Sequence, residues 1–265
     1  MFYGEPMMKK ICFALSALMI SSTSLAHFGV LLPDQAVVMD QKKMTVNLTA
    51  SFNHPMEQNG MTLVKPKAFG VVVDEKKQDL LSQMKPTNVL GKEAWKTQFQ
   101  VKRPGVYQFY LEPAPYWEGA EDKFIIHHTK VVVPAFVDDE SWTQPIGLKT
   151  EIVPLTRPFG NYEGNLFQGK VLVNGKPAVG VPVEVEYYND KNKLTAPTDL
   201  HVTQIVMTDE QGVFSYNIPW NGWWGFAALT DADFKLKHKG QDRDVELGAV
   251  LWSYFSPIPL PNLSK

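Results

Sequence analysis

The chain has 265 residues, and its content of 44 % apolar and 20 % charged residues is typical of a globular protein with one large domain or two ordinary ones. The 26 Lys and Arg residues against 28 Asp and Glu residues give a net charge of -2, which argues against nucleic-acid binding by bulk electrostatics. The single cysteine, Cys12, excludes a disulfide scaffold.

Residues 1–26 have the pattern of a cleavable signal peptide. Lys9 and Lys10 form a short positive region, and the apolar run ICFALSALMI follows directly. Ser24 and Ala26 are small residues at the −3 and −1 positions of the expected cleavage site. The apolar run is too short to span a bilayer, and no later segment approaches the length of a transmembrane helix.

Cleavage at this site has three consequences for the mature protein. It would begin at His27, it would contain no cysteine, and it would be exported to the periplasm without being embedded in the membrane. Met8 resembles a natural start, which makes residues 1–7 either a misassigned start or vector sequence.

The first unit of the mature chain, residues 27–150, is predicted to consist of strands. Residues 44–52 alternate apolar and polar side chains, which indicates a half-buried strand. Residues 95–101 form a further strand, and the turn sequence KRPG would return the chain as a hairpin partner at 106–112. Residues 123–133 are a long β-branched strand. We expect an N-terminal β-sandwich-like domain.

The second unit, residues 151–265, is predicted to be a smaller β-sandwich that ends in a Pro-rich tail. Short strands recur at roughly ten-residue spacing between Gly turns. Asn174 and Gly175 form a hairpin turn signal. The runs NGKPAVGVPVEVEYY and TDEQGVF resemble transthyretin-like or carboxypeptidase-regulatory-like sandwiches. The fold class predicted for the whole chain is therefore all-β, with two domains.

The sequence contains no motif of a common enzyme class. It has no G-x-S-x-G nucleophile elbow, no H-E-x-x-H, no P-loop and no G-x-G-x-x-G. A cysteine nucleophile is excluded once Cys12 has been removed with the signal peptide. We therefore predict a protein that is not an enzyme.

A histidine at the mature N-terminus favours metal binding. His27 would offer its α-amine and its imidazole Nδ1 to one ion, in a six-membered chelate ring. The unperturbed amine pKa lies near 8, so a metal ion can displace the amine proton at neutral pH. Cu(II) and Ni(II) both accept such nitrogen sets.

Three further histidines are candidate partners of His27. His54 lies in the segment FNHPME at the end of a strand, where binding groups often gather. His127 and His128 are adjacent on one strand and therefore face opposite sides of the sheet, so at most one of them can join a given site. The pattern alone does not choose between them.

The remaining histidines and the tryptophan cluster are not predicted to bind a ligand. His201 and His238 stand in polar loop context and are predicted to be exposed to solvent. Trp220, Trp223 and Trp224 could form a sugar-binding platform, but packing in the core or in the interdomain seam is the more common role of such residues.

Several segments of the mature chain resemble NikK-type extracytoplasmic nickel-binding proteins, which are associated with energy-coupling-factor type nickel/cobalt importers. The resemblance spans the mature chain and rests on HFGVLLP, FNHPME, DKFIIH, EIVPLTRPFG and GWWGFAAL, at residues 27–33, 52–57, 122–127, 151–160 and 222–229. It implies a periplasmic protein that takes Ni(II) as cargo and passes it to the membrane components of an importer. By the same resemblance His27, His54 and His127 are the metal ligands.

Rival functions remain open. The first is a copper protein of the histidine-brace kind, either a chaperone or an oxidative enzyme, in which Met56 and Met61 would favour Cu(I). The second is a carbohydrate-binding or adhesion sandwich without metal. Co(II) is an alternative cargo, and a carboxylate site built from Glu57, Glu121 or Asp122 is an alternative donor set. No stable oligomer is predicted.

Overall fold

The computed structural model describes residues 27–136 and 140–259, so the predicted signal peptide lies outside the described residues. The strands up to residue 135 are β1 (Phe28–Pro33), β2 (Thr45–His54), β3 (Asn59–Met61), β4 (Ala68–Val73), β5 (Lys76–Asp79), β6 (Lys85–Val89), β7 (Lys92–Gln100), β8 (Gly105–Glu112), β9 (Tyr116–Glu118) and β10 (Lys123–Ala135). The later strands are β11 (Thr150–Pro154), β12 (Asn161–Tyr162), β13 (Leu166–Val173), β14 (Lys176–Pro177), β15 (Pro182–Tyr187), β16 (Gln204–Met207), β17 (Val213–Asn217), β18 (Gly222–Asp231), β19 (Leu236–His238), β20 (Gln241–Arg243) and β21 (Val245–Ser256). The described helical residues form two short 3-10 turns, Leu81–Gln83 and Asp199–His201. The prediction of an all-β fold is confirmed.

The strands are arranged in three layers. The first layer is the sheet β1-β2-β7-β6, with β3 paired to β2. The central layer is a ten-stranded sheet in the order β16-β15-β18-β21-β10-β8-β4-β5, with β9 on β10 and β12 on β21. The third layer is β11-β13-β14 with β17 paired to β13, and β19 and β20 form a separate ribbon.

The central sheet contains strands from both predicted units. The last strand, β21, runs parallel to β10, with Ile125 opposite Glu246 and His127 opposite Gly248. On its other side β21 pairs with β18 in antiparallel fashion. Hydrogen bonding is therefore continuous from the N-terminal unit to the C-terminal unit, while the division near residue 150 stays a prediction.

Each face of the central sheet covers a different core. Along β10 the side chains of Ile125 and Val131 belong to the first core, between the central sheet and the first layer. Val132 belongs to the second core, between the central sheet and the third layer. The first core also includes Phe28 and Phe52 from the first layer. This alternation matches the period of two of a β-strand and gives β10 two buried faces.

The predicted hairpin around the KRPG turn is wrong. β7 lies in the first layer, and β8 pairs with β4 and β10 in the central sheet. The short link between them crosses from one layer to the next, so that Phe99 and Phe109 meet in the first core with ring centroids 5.3 Å apart. Burial of both apolar faces in one core outweighs local pairing here.

The hairpin turn at Asn174 and Gly175 is confirmed. Val173 pairs with Lys176, and the two turn residues have φ angles of 50° and 74°. Positive φ at both central residues defines a type I′ turn, whose twist matches that of the flanking strands. In the described part of the chain no helix is long and apolar enough to cross a membrane.

Candidate metal centre

His27 and His54 lie side by side at one end of the first layer. β1 and β2 are antiparallel with Phe28 opposite Asn53, so the next residues of the two strands, His27 and His54, are also neighbours. Their ring centroids are 4.7 Å apart. Both residues are nearly enclosed, with 9 % and 5 % of their surface exposed, so the pair is shielded from solvent.

Glu118 determines which nitrogen of His27 carries the proton. The Glu118 carboxylate Oε2 lies 3.0 Å from His27 Nε2, and a carboxylate can only accept, so Nε2 is the donor. The Nδ1 of a neutral His27 imidazole then keeps its lone pair. An outer carboxylate that fixes a histidine tautomer in this way is a common feature of metal-binding histidines.

Burial keeps the His27 imidazole neutral. Desolvation, and then the electrostatic influence of His127, lower the pKa of His27, while the attraction of Glu118 and Glu121 only partly opposes this shift. A lowered pKa means that the ring is deprotonated at neutral pH, which is the form that binds metal.

The structure places His127, and not His128, on the side of His27 and His54. The Phe52 ring contacts both His27 and His127, with centroid distances of 5.7 Å and 5.8 Å. His128 points to the opposite face, where its Nδ1 is 2.9 Å from Thr150 Oγ1. Burial lowers the pKa of His128 to about 4, and the adjacent His127 adds to the effect.

His127 occupies a narrow slot between neighbouring strands. The Gly29 amide of β1 donates to His127 Nδ1 at 3.4 Å, and a Cβ on Gly248 of β21 would lie 2.3 Å from the ring Cδ2. Because an amide can only donate, Nδ1 is the acceptor and Nε2 carries the proton. Nε2 lies 3.5 Å from Glu246 Oε1, which is beyond hydrogen-bond distance, and has no hydrogen-bond partner among the described residues. His127 would therefore have to turn its ring to bind an ion.

Carboxylates and one lysine surround His127. Lys123 Nζ lies 2.6 Å from carboxylate oxygens of both Glu121 and Glu246. Burial opposes ionisation of Glu246, but contacts with His127 and Lys123 outweigh it and lower the pKa to about 2. Burial raises the pKa of Glu184, on the same face of the sheet, to about 7. The face therefore carries negative charge close to the histidines.

The other predicted donors are not gathered at this site. Glu57 is exposed, Glu121 is bound to Lys123, and Asp122 is bound to Arg243. Within residues 27–136 and 140–259, no group of three or more His, Cys, Asp or Glu side chains is arranged to hold a metal ion. The structure therefore brings His27 and His54 together, with His127 across the Phe52 ring from them.

The outlying histidines and tryptophans have mixed outcomes. His201 is exposed, as predicted. His238 is half-buried rather than exposed, because its ring stacks on Trp117 at 3.8 Å. Trp224 is buried in the second core, whereas Trp220 is 38 % exposed.

Sequence reasoning missed Glu118 and Glu246. Both are single acidic residues in strands. Glu118 and His27 are 91 residues apart in the chain, and Glu246 reaches His127 through the pairing of β21 with β10. It also missed a cavity of about 290 Å³ beside His127, whose walls include Phe52, Tyr116 and Trp117.

The arrangement of packed sheets defines a β-sandwich class of protein. The chain belongs to the family described as "Domain of unknown function (DUF4198)", whose profile matches residues 24–232. No curated protein matches the chain.

Three of the solved structures that are similar to the chain are distant likenesses. The D0-D1 domain of intimin is 14 % identical, with 87 % of this chain and 100 % of that chain covered and a TM-score of 0.25. The trypsin-activated alpha-2-macroglobulin of Escherichia coli is 8 % identical, with 88 % and 16 % covered and a TM-score of 0.26. The fibronectin(III)-like modules of Clostridium thermocellum CbhA are 9 % identical, with 89 % and 99 % covered and a TM-score of 0.23. Likenesses at this level carry no functional argument.

Proposed function

We propose that the mature protein is a periplasmic carrier that binds Ni(II) as cargo and delivers it to a membrane importer. The α-amine and Nδ1 of His27 would chelate the ion, and the His54 imidazole would complete the central set. The single observation that supports this proposal most strongly is the Glu118 contact with His27 Nε2, because it leaves Nδ1, the nitrogen that can share a chelate ring with the amine, with its lone pair.

Burial adds a second line of support. Both rings are enclosed and His27 is held neutral, so little proton displacement is needed at the imidazole. Two imidazoles and an amine suit Ni(II) better than Ca(II) or Mg(II), which prefer oxygen donors. The nearby carboxylates would stabilise the charge of the bound cation.

We propose His127 as the third imidazole, recruited by rotation of its ring. Rotation costs the Gly29 hydrogen bond, so the contribution of His127 is expected to be smaller than that of His54. If His127 stays in its slot, its role is to pack against Phe52 and to accept the hydrogen bond from the Gly29 amide.

Calorimetric titration of Ni(II) into the exported protein tests the proposal, after intact-mass spectrometry has verified a start at His27. His54→Ala should weaken binding by about tenfold or more, or roughly 1.4 kcal/mol, without unfolding the chain. His127→Ala tests the third ligand in the same way. His201→Ala is the control, because this ring is exposed and contacts the nearby Thr198 hydroxyl. Undiminished Ni(II) binding by His54→Ala would refute the site.

Copper is the competitor that most needs testing, because Cu(II) binds nitrogen sets more tightly than Ni(II) does. We expect the protein isolated from the periplasm of nickel-supplied cells to contain nickel. Protein that contains copper under those conditions would favour the histidine-brace alternative, and protein without either metal would favour the non-metal sandwich.

A further inference from the structure

The segment Pro55–Met56, directly after His54, is held by residues of the C-terminal unit. These contacts come from the end of β15 and the loop that follows it. They join chain positions about 130 residues apart, and they lie within two residues of a proposed metal ligand.

Glu186 supplies the first contact. It points away from the second core, since its neighbour Val185 belongs to that core. Its Oε2 accepts a hydrogen bond from the Met56 amide at 3.1 Å, and its Oε1 accepts one from the Thr203 hydroxyl at 2.5 Å. Only 1 % of the residue is exposed. A polar group this deeply buried is costly to leave without hydrogen bonds, so these two bonds restrict where Met56 can lie.

Asn189 supplies two more contacts. Its backbone amide donates to the Pro55 carbonyl at 3.2 Å, and its side-chain Nδ2 donates to the Met56 carbonyl at 3.0 Å. Its Oδ1 accepts from the amides of Lys193 and Leu194, at 2.9 Å and 3.2 Å. Asn189 is 1 % exposed, and its hydrogen bonds hold both its own loop and the Pro55–Met56 segment.

We infer that Glu186 and Asn189 are positioning residues that set the His54 ring against His27. Proline restricts the backbone after His54, so fixing both peptide groups of Pro55–Met56 also fixes the end of β2. This assigns the C-terminal unit a part in metal binding. The inference rests on the proposed function, because it requires His54 to be a ligand.

Conservative and disruptive variants separate positioning from charge. In Glu186→Gln the amide oxygen can still accept from Met56, and the amide nitrogen can donate to the Thr203 hydroxyl. We therefore expect Glu186→Gln to bind Ni(II) as the native protein does. Glu186→Ala and Asn189→Ala should weaken binding by about tenfold, as is typical when outer contacts of a metal ligand are lost.

Thr208→Val is the matched control for general destabilisation. Thr208 is buried in the same unit, and its hydroxyl bonds Ala178 and Val181 without touching Pro55–Met56. Thr208→Val should lower the melting temperature of the metal-free protein and leave the Ni(II) affinity unchanged. If Asn189→Ala does not fold, Asn189→Ser is measured instead, because it also removes the donor to Met56.

The decisive measurement repeats Asn189→Ala on a His54→Ala background, with Ni(II) titration of the mature full chain. Positioning predicts that the effect of Asn189→Ala on affinity disappears there. Native affinity in Asn189→Ala, or an equal loss on both backgrounds, would overturn the inference while leaving the His54 result and the proposed function intact. Unchanged Ni(II) binding in His54→Ala alone would overturn both.

Discussion

Replacing Gly248 by alanine is a direct test of how His127 is held. The added Cβ would lie 2.3 Å from His127 Cδ2 and 2.7 Å from Cγ, whereas carbon atoms in contact are normally about 3.5–4.0 Å apart. The ring is 2 % exposed and sits between strands, so it cannot swing into solvent. Relieving the overlap requires a shift of more than about 1 Å in the ring or the strand. We expect a loss of about 1–3 kcal/mol in the free energy of unfolding, as for other overpacked cores.

A double-mutant cycle isolates this contact. In His127→Ala the ring is gone, and the extra methyl group of Gly248→Ala would then fill part of the vacated space. The double variant should therefore be more stable than the sum of the single effects predicts. Gly119→Ala is the matched control, because its Cβ would come no closer than 3.7 Å to a neighbouring atom.

Urea unfolding of the metal-free mature protein near neutral pH measures these free energies, and a constant m-value would show that the unfolded state is unchanged. Ni(II) titration of Gly248→Ala, if it folds, adds the functional readout. Native stability in Gly248→Ala, with strictly additive behaviour in the cycle, would show that His127 is not confined as described.

Four further predictions concern protons and charges. Ni(II) affinity should fall by about one decade per pH unit as the pH drops below neutral, because the α-amine of His27, with an unperturbed pKa near 8, must lose its proton to bind the ion; titrations between pH 7.5 and 5.5 check it, and flat affinity would contradict it. One methionine added before His27 should weaken Ni(II) binding without changing the circular dichroism spectrum, since the free amine moves off the chelating residue. The pKa of His128 is lowered to about 4 from 6.5, so the unfolded state binds more protons than the folded state between these values. The free energy of unfolding should therefore decrease as the pH falls through this window. Urea unfolding of His128→Leu should show a weaker dependence of this free energy on pH in the same window. Lys130 and Glu151 form a buried ion pair, and the Glu151 carboxylate also accepts from three backbone amides. Glu151→Leu should lower the free energy of unfolding by about 3–5 kcal/mol, because it leaves the ammonium and these amides without their acceptor, whereas Lys130→Met should lower it less. Equal losses of the two variants in urea unfolding would refute this asymmetry.

Local pattern was sufficient for the strands and for part of the site. Alternation over 44–52 predicts β2, and the Asn174–Gly175 pair predicts its turn, because side-chain direction and turn conformation depend on a few neighbouring residues. Neighbouring residues were also sufficient to predict that His54 lies at the end of a strand and that His127 and His128 face opposite sides of the sheet.

Strand partners and the surroundings of the histidines were decided by the tertiary structure. The alternation in β7 and β8 is equally satisfied by a hairpin or by two layers, and only the shared packing of Phe99 and Phe109 selects the layers. Glu246 reaches His127 through the pairing of β21 with β10, and Glu118, on the local β9–β10 hairpin, reaches His27 only because two different sheets pack together. Such pairings depend on the burial of whole faces contributed by distant segments, and that free energy is not encoded in any short window of the sequence.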